Sequence, residues 1–179
     1  MITKGEEMEQ KGVEQVAALM CTAARTAPKG RGIDNLTTIV ITGDDLKRLS
    51  AEMRKISERC GAPFFSRDAA NVDASRAVVL LGQKLVPFNL PECGYCGFED
   101  CTASAAAGAA CAISAGDLGI ATLSAAAVAA QHYVDNRIMF TIGRAALNLG
   151  LFGDDKITMA YGIPLSVSGK SPYFDRKPI

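Results

Sequence analysis

Histidine is almost missing from this 179-residue chain: His132 is the only one. No serine or cysteine has a recognisable base motif beside it, so a hydrolytic triad of nucleophile, base and orienting acid has no support. No G-x-G-x-x-G run and no P-loop occurs, which removes the signatures that cradle dinucleotides and nucleoside triphosphates. Lys+Arg and Asp+Glu both number 19, and there is no long basic run. The electrostatic footprint of a nucleic-acid binder is therefore lacking, and the expected partner is a small molecule or another protein. The opening "MITKGEEMEQKGVEQ" has no apolar stretch of the kind a secretory leader needs. The expectation is a cytoplasmic protein whose thiols stay reduced, which argues against a disulfide framework.

What is present reads as globular. Hydrophobic residues make up 49% and charged residues 21%, a profile that buries a core without needing disulfides. The length suggests one domain over residues 1–179. From Thr102 to Gln131 the only charge is Asp117. That run is mostly alanine, broken by Gly108, Gly116 and Gly119, whereas a spanning helix needs about 20 strongly apolar residues. It is read as two packed helices, with no membrane span.

Hydrophobic spacing predicts a helix over 6–26 with Val13, Val16, Ala17, Met20 and Ala24 on one face. Pro28 and Gly30 stop it. "LTTIVITG" (36–43) reads as a buried strand. A second helix follows, capped by Asp44 or Asp45, burying Leu46, Leu49, Met53, Ile56 and Cys60 and ending at Gly61. "RAVVLLG" (76–82) is a second strand and "QKLVPFNLPE" a proline-broken connector. Gly116-Asp117 reads as a helix start with Asp117 as cap. Residues 137–149 form another helix with Ile138, Ile142, Ala145 and Leu149 on one face, and 155–166 a third strand ended by Pro164. The tail 169–179 is polar, with a turn at Ser171-Pro172. Helices outnumber strands without a clean β-α-β alternation, so the fold class expected is α+β.

Four of the six cysteines fall within "PECGYCGFEDCTASAAAGAAC" (91–111), spaced Cys93-x2-Cys96-x4-Cys101-x9-Cys111. A C-x2-C pair sets two thiolates around one centre. Gly94 and Gly97 let the backbone turn back and approach closely, so that N–H groups can face cluster sulfurs. Cys101 sits where a helix can begin, and the positive end of a helix favours thiolate. Cys111 follows roughly three helical turns later, or after a break at Gly108. Zinc also takes four thiolates, but structural zinc sites usually carry two C-x2-C knuckles, whereas three close cysteines and one distal one suit an iron–sulfur cluster. Both metals remain open, as do unligated cysteines or a redox pair, and Cys111 also fits a buried free cysteine. Cys21 and Cys60 are read as core residues.

Other residues have two readings. Tyr95 and Phe98 either pack over a cluster or are ordinary loop residues. His132 is either structural or a proton donor. Asp135, Asn136 and Arg137 either cap the following helix or line a pocket.

"ECGYCGFEDC" resembles the opening of the 4Fe-4S domain of electron-transfer proteins, C-G-x-C-G-x-x-x-C. "CTAARTAPKGRGIDNLTTIVITGDDLKRL", "DLGIATLSAAAVAAQHYVDNR" and "LGLFGDDKITMAYGIPLS" resemble the first helix, loop and strand, the central helix, and the late segment of nitroreductase-like proteins. Over roughly residues 13–166 the chain resembles uncharacterised ferredoxin-domain-containing proteins of the nitroreductase-like class. The resemblance implies a mostly antiparallel sheet flanked by helices, with 91–111 inserted, a 4Fe-4S cluster, a homodimer and FMN. The Arg-x-Ser-x-Arg element by which nitroreductases grip the flavin phosphate has no counterpart in residues 1–15. Arg25, Lys29 and Arg31 are the cations that could meet such a phosphate, or they form a solvated basic loop. The function implied is an iron–sulfur redox protein, either an electron carrier or part of a reductase. The alternatives are a structural zinc protein and an FMN-dependent oxidoreductase.

Overall fold

A computed structural model describes residues 2–154 and 156–174. The elements are α1 (Gly5–Thr26), β1 (Leu36–Ile41), α2 (Asp44–Cys60), α3 (Pro63–Asp73), β2 (Ala77–Lys84), α4 (Cys101–Ala106), α5 (Ala112–Gln131), β3 (Asp135–Asn136), α6 (Phe140–Asn148) and β4 (Ile157–Ser166). The four strands form one antiparallel sheet in the order β1-β2-β4-β3.

The central strand β2 is buried on both faces, and its period-2 alternation sends its side chains to two cores. Val79 and Leu81 join Val13, Ala17 and Met20 of α1 and Leu118, Ala121 and Ala125 of α5. Val78 and Leu80 join Leu49 and Met53 of α2, Phe65 and Val72 of α3, and Ile142 and Ala145 of α6. The fold is α+β, with helices on both faces of the sheet. All five α1 positions expected to be buried are buried.

Several local expectations are corrected. The N-cap of α2 is Gly43, at φ 60°, and makes no side-chain cap bond. Asp44 and Asp45 lie in the first turn, paired with Lys47 and Arg48 one turn on. Cys60 is exposed rather than core, while Gly61 takes the expected left-handed cap. Helix α3 is absent from the sequence reading; its signal is Pro63 at the first helical position, where no N–H is required.

Pro164 does not end β4, which runs on to Ser166. Gly162 exchanges both backbone bonds with Met139. Pro164, two residues on, turns its nitrogen to the same side, into the gap between that bridge and β3, where no donor is called for.

Helix α5 begins at Ala112, so Asp117 lies inside it rather than capping it. Among the described helices it is the one long and apolar enough to cross a membrane by length and composition alone. Here its Leu118, Ala121, Ala125 and Ala129 are packed into the first core. Helix α6 starts at Phe140 after an uncapped Met139, so the 135–137 trio caps nothing. Arg137 instead donates to the Tyr173 carbonyl at 3.2 Å and stacks over the Phe174 ring. Of the polar tail, 175–179 lies outside the described residues, as does Asp155 at the expected start of the third strand.

Candidate metal centre

The connector after β2 reaches the cysteines through a series of left-handed residues. Asn89 (φ 52°), Glu92 (φ 55°), Gly94 (φ 59°) and Gly97 (φ 84°) turn the chain repeatedly between residues 89 and 97. Gly97 N–H closes onto the Gly94 carbonyl at 2.9 Å, folding Cys93 and Cys96 around one tight turn. Asp100 then caps α4, its Oδ1 accepting from Ala103 N–H at 2.8 Å, so Cys101 occupies the first turn of a helix as expected. Asp100 is a residue the sequence reading missed, although Asp before a helical run is a standard cap signal.

Helix α4 stops after six residues because Gly108 turns left-handed (φ 65°) and Ala109 N–H bonds back to the Ser104 carbonyl. The break at Gly108 returns the chain so that Cys111 becomes the N-cap residue of α5. Cys93, Cys96, Cys101 and Cys111 all line one cavity of about 100 Å³, together with Phe98, Ser104 and Ile113.

All six cysteines are free thiols; Cys111 is buried, while Cys93, Cys96 and Cys101 are half-buried. The Phe98 N–H and the Ser104 hydroxyl both favour the ionised Cys96, holding its thiol below the ordinary range. Cys21 behaves oppositely: burial pushes its thiol up, only partly offset by Thr38 and Arg25.

Among the described residues, no three His, Cys, Asp or Glu side chains already form a ready coordination set. What the fold supplies is a shared cavity, four thiol donors and N–H groups turned toward sulfur. That donor set fits a thiolate-held metal. Phe98 and Tyr95 both line the cavity, Phe98 half-buried and Tyr95 78% exposed. His132 caps α5 at its far end, remote in sequence from every cysteine of the cavity.

Of the three cations expected for a phosphate, Arg25 and Lys29 share Asp34 at the end of α1, and Arg31 turns away toward Phe88. Arg25 pairs with Asp34 at 2.5 Å and donates to the Leu36 carbonyl at 2.8 Å. Lys29 donates to the Ala24, Arg25 and Ala27 carbonyls at 3.1, 2.7 and 3.0 Å, so its ammonium caps the helix. Arg31 donates to the Phe88 carbonyl at 3.0 Å, which joins this loop to the cysteine connector. Burial raises Asp34, but Arg25, the Leu36 N–H and Lys29 together hold it below the usual carboxylate range.

Solved structures resemble the fold at low identity. A nitroreductase with bound FMN from Desulfitobacterium hafniense superposes with a TM-score of 0.56 at 14% identity, covering 88% of this chain and 79% of that one. An FMN-dependent nitroreductase from Mycobacterium smegmatis, in complex with NADPH, gives 0.57 at 16% identity, covering 93% and 84%. The fold is therefore nitroreductase-like. An uncharacterised protein from Archaeoglobus fulgidus is 38% identical over 99% of both chains. The family model described as "Uncharacterized protein containing a ferredoxin domain (DUF2148)" matches residues 107–176, a stretch that includes Cys111 and stops short of Cys101. The chain belongs to this family of uncharacterised ferredoxin-domain proteins.

Proposed function

We propose that this is an iron–sulfur redox protein that holds one 4Fe-4S cluster through Cys93, Cys96, Cys101 and Cys111. The observation that carries the reading is the convergence of four cysteines, spread over 19 residues of sequence, on one cavity. When bound, such a cluster supplies single-electron transfer. The chain's own contribution is to hold four thiolates, to donate N–H and O–H bonds to Cys96, and to shield Cys111 from water. The anticipated partner is a redox protein or a small-molecule substrate. The chain is read as one nitroreductase-like domain over 1–179, with 91–111 inserted, working in the cytoplasm.

A homodimer is part of this proposal. The outward face of α5 carries Gly116, Ile120, Leu123 and Ala127, with Leu123 63% exposed. The stripe reads small, large, large, small in either direction, which suits an isologous antiparallel pairing. FMN is the further cofactor proposed, with Arg25, Lys29 and Arg31 as phosphate contacts. The fold supports it, although Lys29 would have to leave three carbonyls to serve.

The test is iron, sulfide, zinc and flavin analysis of one anaerobic preparation. Brown protein that bleaches with dithionite supports the cluster. Colourless protein with one zinc and no iron sinks it in favour of a structural zinc site. A yellow flavin released on heating makes the protein a flavoenzyme.

A further inference from the structure

Asp117 is 5% exposed, sits within an otherwise uncharged helix, and has no ion-pair partner among the described residues. A buried carboxylate is costly unless bonds compensate it. Its compensation comes from a distant loop: Gly30 N–H donates to both Oδ1 and Oδ2 at 3.0 Å. That loop is pressed onto the cysteine connector. A β-carbon on Gly30 would stand 3.1 Å from the Phe88 ring and 3.4 Å from Ile113. The next residue, Arg31, adopts a left-handed φ of 55° and donates its guanidinium to the Phe88 carbonyl at 3.0 Å. Phe88 is itself buried and lies five residues before Cys93, while Pro87, Leu90 and Ile113 line the cysteine cavity.

We propose that Asp117 is a positioning residue for the cysteine segment. Through the Gly30 amide it holds loop 29–32 as a strap across Phe88, and so fixes the connector that delivers Cys93 and Cys96 opposite Cys111. Helix α5 supplies both anchors. Cys111 is its N-cap, and Asp117 lies six residues on, roughly 9 Å along the axis. The strap also accounts for the left-handed Arg31, a conformation that costs a non-glycine residue free energy and persists where surrounding contacts enforce it. The metal part of this inference rests on the cluster reading; the strap itself does not.

The experiment compares wild type with Asp117→Ala, Asp117→Asn and Arg31→Ala. In metal-free protein, maleimide modification of each cysteine is followed by mass spectrometry. Loss of a hydrogen bond to a charged group should speed modification of Cys93, Cys96 and Cys101 by roughly tenfold in the two alanine variants, with Cys21 and Cys60 at the wild-type rate. Asparagine retains an acceptor for Gly30 and should fall between. In anaerobically reconstituted protein, iron loss to a ferrous chelator should rise in the same order. Unchanged rates in both alanine variants, or an acceleration shared by all six cysteines, overturn the strap. Arg31→Ala carries the test if Asp117→Ala does not fold. Wild-type protein that takes up no iron and sulfide sinks the cluster reading alone, because the maleimide arm needs no metal.

Discussion

Gly143 of α6 and Ala160 of β4 meet backbone to backbone: a β-carbon on residue 143 would stand 1.9 Å from the Ala160 carbonyl oxygen. Neither backbone can yield cheaply, because α6 is buried through Ile142, Ala145 and Ala146 and β4 is inside the sheet. Gly143→Ala should therefore destabilise by at least the ~1–3 kcal/mol typical of overpacking. Each 1 kcal/mol lowers Tm by about 2–4 °C for a domain of this size. Thermal unfolding of Gly143→Ala beside Gly12→Ala, where an added β-carbon meets nothing within 4 Å, checks it.

Ligand identity is separable cysteine by cysteine. Cys96→Ser should lose most bound iron and sulfide, whereas Cys60→Ser, exposed at the end of α2, should keep the wild-type content. Full iron content in both variants overturns the ligand assignment. Cys111→Ser asks the same of the fourth donor.

Thiol titration gives a metal-free readout. In apoprotein the alkylation rate of Cys96 should inflect below 9.0 and that of Cys21 above it. The first has Phe98 N–H and Ser104 O–H bonds to its thiolate, and the second is desolvated. Ser104→Ala should move the Cys96 inflection upward and leave that of Cys21 in place.

Asp34 sets an acid dependence. Its folded pKa lies below the 3.8 of an ordinary Asp, through Arg25, the Leu36 N–H and Lys29 acting against burial. A lowered carboxyl contributes stability above its unfolded pKa and loses it as pH falls through the folded value. Arg25→Ala should lower Tm at neutral pH, and the gap from wild type should close as the solution is acidified below the ordinary Asp range. A gap independent of pH would mean that Arg25 acts through packing or its bond to the Leu36 carbonyl alone.

The outward stripe of α5 predicts self-association. Leu123→Asp should convert a dimer to a monomer in light scattering without lowering the helix content seen by circular dichroism. A wild-type chain that is monomeric at high concentration removes the homodimer.

Local pattern was enough to determine much of this protein. The 3.6-residue spacing of Val13, Val16, Ala17, Met20 and Ala24 specified the buried face of α1. The β-branched run at 36–41 specified a strand, though β1 lies at the sheet edge and is mostly half-buried where a buried strand was expected, and Gly61 specified the end of α2. The cysteine spacing marked Cys93, Cys96, Cys101 and Cys111 as one group, and the fold brings all four to one cavity. Such signals are legible because they depend on neighbours a few residues away.

Tertiary packing decided the rest. Asp117 looked like a cap because Gly-Asp commonly opens a helix, but its carboxylate finds its donor 87 residues away at Gly30. Lys29 looked free for a phosphate until its ammonium turned back onto three carbonyls of the helix end. Pro164 looked like a strand end, yet its missing N–H faces a gap in the ladder that only the placement of β3 creates. At Asp117 the local capping preference is worth about a kilocalorie, and a donor distant in sequence outweighs it; Lys29 is the local exception, its three acceptors lying two to five residues away.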